Sequence, residues 1–189
     1  MSLKKKRKLV SQANSLSSSQ LAQYIENDNN AYQWRIYHSN ELNQQNRDRI
    51  FQLFEMNMKD FYEQSSDGYQ RDEKLDELFS QQARYLIVHS SNRLIAFTHF
   101  RFEMDFNNQV LYLYEIQIDR DFQRQGLGRW LIEQMKQICR RTQMMKIVLT
   151  VYKSNEKAIE FYMKKCLFDF DETNPDDENV DYILLSFVL

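Results

Sequence analysis

Six consecutive residues in the second half of the chain have the types and spacing of an anion-binding loop. A loop that enters a helix N terminus directs unpaired backbone N–H groups and the positive end of the helix dipole toward one point, and glycine lets an anion approach closely. Two of the chain's three glycines occur here, and Arg124 and Arg129 add positive charge at the rim. The pattern indicates phosphate binding, although by itself it also fits a plain tight turn. The six residues are Gln123, Arg124, Gln125, Gly126, Leu127 and Gly128.

Periodic apolar patterns predict a strand before this loop and a helix after it. The run that ends at Ile118 reads as a strand, and an apolar stripe from Leu127 repeats at helical spacing as far as Arg140-Arg141. Along the chain an antiparallel meander precedes strand–helix–strand, which predicts a mixed α/β sheet with one parallel crossover. The other predicted strands are 34–38, 85–88, 94–102, 147–151 and 182–188; the other predicted helices are about 41–61, a short charged one ending near 80, and 155–164; residues 107–108 mark a hairpin.

Length and composition predict one globular domain with a short tail. The chain has 189 residues, of which 42% are hydrophobic, and this length is sufficient to bury a sizeable core. We expect residues 1–32 to be a basic, polar tail, mobile near its start and with a polar helix around Leu21, and residues 33–189 to form the domain. No apolar run reaches the roughly 18 residues that span a bilayer, so we expect a soluble, intracellular protein with no membrane attachment. We also expect a monomer.

The cysteines and histidines lack the spacing of metal ligands. Cys139 and Cys166 lie in apolar helical patterns without a C-x-x-C motif, and His38, His89 and His99 are scattered. We therefore assign no metal and expect buried free thiols.

Charge is distributed unevenly along the chain. Lys4 to Lys8 are five consecutive basic residues in a chain of net charge −2, so the remainder is acidic. The basic cluster suits nuclear import, contact with ribosomal RNA or DNA, or no more than a solvated tail. Residues 169–181 hold seven carboxylates and no Lys or Arg, which fits either a solvated loop or a surface that attracts a basic partner.

The loop and its flanking elements resemble the GNAT superfamily of N-acetyltransferases, in which this signature grips the pyrophosphate of coenzyme A. Glu115-Ile116-Gln117-Ile118 resembles the strand that holds acetyl-CoA, and Asn155 with Phe161-Tyr162 resembles the next helix that contacts it. The resemblance implies a mostly antiparallel mixed sheet with flanking helices and a V-shaped splay at the acetyl-CoA site. The cofactor-binding residues that it implies are Ile116, Gln117, Ile118, Gln123, Arg124, Gln125, Gly126, Leu127, Gly128, Arg129 and Asn155.

Further motifs between residues 56 and 186 resemble the histone-directed N-terminal acetyltransferases of the NatD type. That resemblance implies a substrate tail beginning Ser-Gly-Arg-Gly-Lys, and a nuclear and cytoplasmic location. Glu103 stands where the family has Asp, and Asp67 stands where it presents an aromatic residue, with Tyr69 nearby. The motifs are Asn57-Met58, 62–65, 96–102, 112–115 and 149–153. The substrate-binding residues implied are Tyr62, Glu103, Tyr114, Thr150 and Tyr182.

Acetyl transfer to an amine requires removal of a proton, since an α-amine with a pKa near ~7.7 to 8.0 is mostly protonated at neutral pH. We expect Glu115 to act as the general base, directly or through water, and Tyr112 and Tyr114 to position the substrate. Glu115 could instead be paired with a surface cation, and the tyrosines could be core residues. An acidic lining should attract a cationic tail. Its candidate members are Asp67, Asp72, Glu73, Asp76, Glu77, Glu103 and Asp105.

Two other functions remain compatible with the same patterns. A GNAT enzyme that acetylates a lysine side chain or a polyamine would share the cofactor motifs. A catalytically silent acyl-CoA sensor or chromatin-binding adaptor would keep the fold without the chemistry.

Overall fold

The protein, described by a computed structural model over residues 1–26, 32–66 and 68–189, has one mixed sheet with helices on both faces. Asp67, a candidate member of the acidic lining, lies outside the described residues, and so do residues 27–31 of the predicted polar tail. The strands are β1 Gln33–His38, β2 Arg84–Ser90, β3 Arg93–Asp105, β4 Asn108–Ile118, β5 Lys146–Tyr152, β6 Asp169–Phe170 and β7 Tyr182–Val188; the helices are α1 Leu3–Asn14, α2 Ser18–Ala22, α3 Gln44–Gln64, α4 Arg71–Leu78, α5 Leu127–Arg141 and α6 Glu156–Glu160.

The seven strands lie in the order β1-β2-β3-β4-β5-β7-β6. Neighbouring strands are antiparallel except β4 and β5, which are parallel and are joined by helix α5. Phe106 and Asn107 form the tight turn between β3 and β4, with φ angles of 39° and 66°, as a two-residue hairpin requires. The predicted α/β class, the meander and the single parallel crossover are confirmed.

Local capping explains where the structure departs from the predicted boundaries. The predicted helix 41–61 begins at Gln44, because Asn43 caps it by accepting the Asn46 N–H at 2.8 Å. A 3-10 turn, Ser39–Glu41, precedes this cap. Helix α6 has five residues and continues as a π-helical turn, Phe161–Lys165, and the short edge strand β6 has no counterpart among the predicted strands.

Each face of the sheet covers its own apolar cluster. On one face α1, α2 and α5 pack against residues such as Phe100 and Leu111. On the other face α3 and α4 pack against residues such as Tyr85 and Phe97. Cys139 and Cys166 are buried and free, as expected.

The basic start of the chain is a packed helix and not the mobile tail that its charge suggests. Leu9 and Ala13 of α1 are buried in the core that the sheet forms with α5. At its end, Asn14 Nδ2 donates to the Phe102 carbonyl at 2.9 Å, and Arg84 donates to the Asn14 carbonyl at 2.8 Å. The expectation of a mobile start was wrong. Leu9 and Ala13 lie one turn apart on the same side of α1, and this apolar side packs on the core while the other sides stay charged.

No helix among the described residues is long and apolar enough to cross a membrane. Within the same residues there is no group of three His, Cys, Asp or Glu side chains that could hold a metal ion.

We predict that Leu9→Ala lowers the free energy of unfolding by about 2 to 3 kcal/mol, because it leaves a cavity under a helix that belongs to the core. Lys5→Ala is the matched control, since Lys5 is exposed on the same helix and its loss should change stability by less than about 0.5 kcal/mol. Urea denaturation measures both values. Equal, small effects would mean that α1 contributes little to stability.

Candidate active site

The central feature of the site is a gap between two neighbouring strands. β4 and β5 pair over three residues each, Val110–Tyr112 with Lys146–Val148, and then diverge. A cavity of about 1220 Å³ opens where they part, and its walls come from both strands, helices α3 to α6 and the start of β7. The V-shaped splay predicted for this sheet is confirmed.

A β-bulge in β4 brings consecutive side chains to this cavity. His99 of β3 pairs with Glu115 and Phe100 pairs with Leu113, so Tyr114 has no partner opposite it in β3. A bulge adds one residue to a strand and reorients the side chains beside it. Tyr114 and Glu115 therefore both line the cavity, although neighbours on a regular strand point to opposite faces.

The turn after β4 is anchored by Asp119. Its Oδ2 accepts a hydrogen bond from Arg49 Nη2 of α3 at 2.5 Å and forms an ion pair with Arg93 of β3. Its Oδ1 accepts the Asp121 N–H at 3.2 Å, which caps the 3-10 turn Arg120–Phe122. These contacts fix the start of the loop that leads into α5.

The two glycines of the loop have different structural roles. Gly126 is the N-cap of α5 with a φ of 87°, and a Cβ built there would meet nothing within 4 Å. It therefore supplies a left-handed turn beside open space. Gly128 is a packing residue, because a Cβ there would lie 3.2 Å from Ile118 Cδ1 and 3.2 Å from Phe161 Cζ.

Glu115 is buried at the centre of the cavity wall and is held through both oxygens. Its Oε1 lies 2.6 Å from Lys74 Nζ of α4, and its Oε2 accepts a hydrogen bond from Gln117 Nε2 at 2.7 Å. The Gln117 amide is oriented in turn by Asn57 of α3, which donates to its Oε1 at 3.0 Å. Burial raises the pKa of Glu115, and the Lys74 ammonium partly offsets that rise. A buried carboxylate with increased proton affinity is suited to accept a proton.

Tyrosines from α3, β4, β5 and β7 line the part of the cavity next to Glu115, which we call the tyrosine-lined end. Tyr112 and Thr150 share a 2.7 Å hydrogen bond between their hydroxyl oxygens, which joins β4 to β5 across the gap. Tyr114 donates to Glu103 at 3.1 Å and its ring stacks on His99. Tyr62 of α3 meets Tyr152 of β5 edge to face, with ring centroids 5.2 Å apart. Burial raises the pKa of Tyr62, Tyr112 and Tyr114, so all three are phenols at neutral pH.

The family model described as the acetyltransferase (GNAT) family matches residues 50–168, which is more than half of the chain. The chain belongs to the GNAT acetyltransferase family. The matched residues include the β4–α5 junction of this GNAT protein, where the loop predicted from the sequence follows the bulged strand directly.

Solved structures have the same fold at low sequence identity. An acetyltransferase from Streptococcus agalactiae is 14% identical, with 85% of this chain and 100% of that chain covered and a TM-score of 0.65. A GNAT family acetyltransferase from Elizabethkingia anophelis, with acetyl-CoA bound, is 14% identical with coverages of 85% and 100% and a TM-score of 0.59. Arabidopsis thaliana Naa50, in complex with the bisubstrate analogue CoA-Ac-MVNAL, is 17% identical with coverages of 82% and 99% and a TM-score of 0.57.

The fold brings most of the sequence-predicted site residues to this one cavity. All of the predicted cofactor-binding residues line it apart from Gln125 and Leu127. Leu127 is part of the core, and Gln125 is exposed and donates to the Asp121 carbonyl at 2.8 Å. All of the predicted catalytic and substrate-binding residues line it apart from Glu103, which reaches the site through Tyr114.

The predicted acidic lining is smaller than the sequence suggests. Of the α4 carboxylates, Glu77 lines the cavity, whereas Asp72, Glu73 and Asp76 are exposed at the surface. Glu115 contributes a carboxylate from β4. The exposed residues lie at helical positions that face solvent. A count of charges along the sequence does not show which face of the helix each charge occupies.

Sequence reasoning missed Lys74, which contacts Glu115 directly. A signal was present, because Lys74 lies four residues before the buried Leu78 and therefore on the same face of α4. Tyr152 was also missed as a lining residue, although the motif around it was recognised.

We predict that Gly126→Ala weakens coenzyme A binding about tenfold, the equivalent of one charge-assisted hydrogen bond. The cause is the change of backbone geometry at the N terminus of α5. Gly68→Ala is the control, because Gly68 also has a positive φ, 69°, and open space around its Cβ position. Calorimetric titration with coenzyme A measures binding. Equal losses in both variants would attribute the effect to general strain and not to the loop.

We predict that Glu115→Gln lowers kcat by about a hundred- to ten-thousand-fold with little change in coenzyme A affinity, because the amide cannot accept a proton. Wild-type kcat should rise with pH as Glu115 ionises, and burial places this rise above the range of an ordinary glutamate. The rise should vanish in the variant. Glu103→Gln is the comparison, with a smaller effect on kcat. A wild-type pH profile in Glu115→Gln would exclude Glu115 as the base.

Proposed function

We propose that this protein transfers an acetyl group from acetyl-CoA to the N-terminal α-amine of a protein with a basic tail, with histone-type tails beginning Ser-Gly-Arg-Gly-Lys as the substrate class. The observation that carries the proposal is the position of Glu115, a buried carboxylate in the cavity wall. It lies in β4 between the tyrosine-lined end and the phosphate-loop end.

The loop end of the cavity fits the phosphates of coenzyme A. Helix α5 has no side-chain cap at its N terminus, and the space beside Gly126 is open. Cationic side chains also line this part of the cavity, and together with the helix dipole they favour polyanions. Acetyl-CoA, when bound, would supply the acetyl group as a thioester. The lining cations are Arg120, Arg124, Arg129, Lys157 and Lys165.

The tyrosine-lined end favours a chain terminus as the acceptor. Ser66 N donates to Asp181 Oδ2 at 2.6 Å, which connects the loop after α3 to the residue before β7. Tyr62 in the last turn of α3 and Tyr182 at the start of β7 line the cavity, so this contact lies beside its acceptor end. A terminus can enter beneath such a bridge, whereas a continuous chain would be obstructed.

The residues of this chain account for the proton movements. Glu115 would accept the proton of the α-amine, directly or through water, so that the neutral nitrogen can attack. Tyr162 lines the cavity, and burial keeps its pKa above the ordinary phenol value. It is therefore protonated at neutral pH and can donate a proton to the departing thiolate, and the second proton that the nitrogen loses as the amide forms restores the phenol.

Proton affinity also favours an α-amine over a lysine. Lysine ionises near ~10.4, so making it neutral costs about 2.5 pK units, or roughly 3 to 4 kcal/mol, more than an α-amine. Glu77 and Glu103 add negative charge near the acceptor end, which favours a basic tail. The alternative is acetylation of a lysine side chain or a polyamine. The enclosed acceptor end is evidence against an internal lysine, because a continuous chain would be obstructed there.

We extend the proposal to where the protein acts. Helix α1 exposes Lys4, Lys5, Arg7 and Lys8, while Lys6 donates to Asn108 at 2.6 Å. These exposed cations suit contact with ribosomal RNA or other nucleic acid, in the cytoplasm and nucleus. The enzyme would act there as a monomer.

We predict that a Ser-Gly-Arg-Gly-Lys peptide is acetylated on its terminal amine and that N-terminal blocking abolishes the reaction. Replacing both cations of the peptide by Ala should raise KM more than it lowers kcat, because the charges act in binding. Mass spectrometry with fragmentation maps the acetylated site. Acetylation of the blocked peptide on lysine at an equal rate would replace the proposal with lysine acetylation, and no turnover of either peptide would favour the silent-adaptor reading.

A further inference from the structure

Lys74 is a buried cation at the wall of the candidate active site. Its side chain projects from α4, and the residue is 5% exposed. Its Nζ forms ion pairs with Glu115 Oε1 at 2.6 Å and with Glu77, and it donates to the Tyr62 hydroxyl oxygen at 2.9 Å. It also lies 4.7 Å from the centre of the Phe54 ring.

These partners satisfy an ammonium group completely. An ammonium has three hydrogens to donate and no lone pair, and Lys74 has three acceptors. Burial by itself would lower the pKa of Lys74, but the attraction of Glu115, Tyr62 and Glu77 raises it overall. Lys74 therefore carries its charge throughout the neutral range.

The charge of Lys74 determines which form Glu115 adopts. A carboxyl group buried without a cation takes up a proton, because the charged form loses its solvation. A protonated Glu115 could not accept the proton of an amine. Lys74 at 2.6 Å offsets part of that loss and so favours the carboxylate, and Gln117 holds the second oxygen so that the group cannot rotate freely.

The same ammonium also orients Tyr62. A phenol has one hydrogen, and an ammonium can only donate, so the Tyr62 oxygen accepts from Lys74 and its own hydrogen must point elsewhere. Burial keeps the Tyr62 pKa above its ordinary value, so this hydrogen stays in place. Because Tyr62 lines the cavity, the hydrogen is available to a carbonyl of a bound peptide.

We propose that Lys74 is a positioning residue that holds Glu115 as a carboxylate and turns the Tyr62 hydroxyl into a donor toward the peptide. One buried charge on α4 thus prepares the base and a substrate contact together. The inference rests on the proposed function, in which Glu115 accepts the proton of the acceptor amine.

Several elements place ionisable groups around Glu115, and their charges define the expected pH dependence. His99 is neutral, because burial lowers its pKa well below the ordinary value. Lys74 stabilises the carboxylate, whereas Glu77 opposes it. The groups are Lys74 and Glu77 on α4, Tyr62 on α3, Tyr85 on β2, His99 and Arg101 on β3, and Tyr162 after α6.

The test is kcat against pH at saturating peptide and acetyl-CoA in two variants with opposite expected shifts. Lys74→Met should move the acid limb of kcat to higher pH by about 1 to 3 units, because an opposite charge at this distance has been removed. The peptide KM should rise, because the Tyr62 hydroxyl is no longer held as a donor toward the peptide, while coenzyme A affinity stays unchanged. Glu77→Gln should move the limb to lower pH by a smaller amount, because it removes a like charge.

The outcomes separate this inference from the proposed function. Thermal unfolding confirms that each variant is folded, and if Lys74→Met is not, Lys74→Gln takes its place, because it also removes the charge. An acid limb at the wild-type pH in the folded Lys74 variant overturns the role of Lys74. A limb that does not move to lower pH in Glu77→Gln shows that the limb does not report the ionisation of Glu115, and it overturns the inference as well. If Glu115→Gln itself keeps the wild-type profile, the base assignment in the proposed function fails instead.

Discussion

The end of pairing between β4 and β5 is the constraint on which the site depends. Parallel neighbours in a sheet normally satisfy each other's backbone groups and leave no space between them. Here the ladder ends after Tyr112 and Val148, and the strands separate into walls of a cavity. The Tyr112–Thr150 hydrogen bond lies close to the point of divergence. Side chains therefore connect the two strands where their backbone hydrogen bonds end.

Two buried ion pairs show that the balance between burial and hydrogen bonding decides whether the pKa of a carboxyl group falls or rises. Lys146 and Asp171 are 2.5 Å apart, and Thr173 donates to Asp171 from both its backbone and its hydroxyl. Although burial opposes it, the hydrogen bonds from Lys146 and Thr173 lower the pKa of Asp171 to about 2. A depressed pKa gives stability that is present above the unfolded value near ~3.9 and is lost as the pH falls toward 2. Asp171 thus acts as a structural anion.

Glu115 differs because burial dominates over its partners. Its pKa is raised and not lowered, even with Lys74 and Gln117 in contact. A buried ion pair is weak evidence for stability, since desolvation can exceed the attraction. In the proposed function this cost has a reason, because Glu115 has to be a carboxylate and still take up a proton.

The sequence by itself determined most of the order of the elements, the sheet class and the position of the loop, because apolar periodicity and a Gly-rich strand–helix junction are local features. It also marked Glu115 and its neighbouring tyrosines. Tertiary structure alone decided that α1 is part of the core, that a bulge at Tyr114 turns two consecutive side chains to one cavity, and that Lys74 lies against Glu115. Lys74 and Glu115 are far apart in the chain, and their contact depends on how α4 packs on β4. No local pattern encodes that distance.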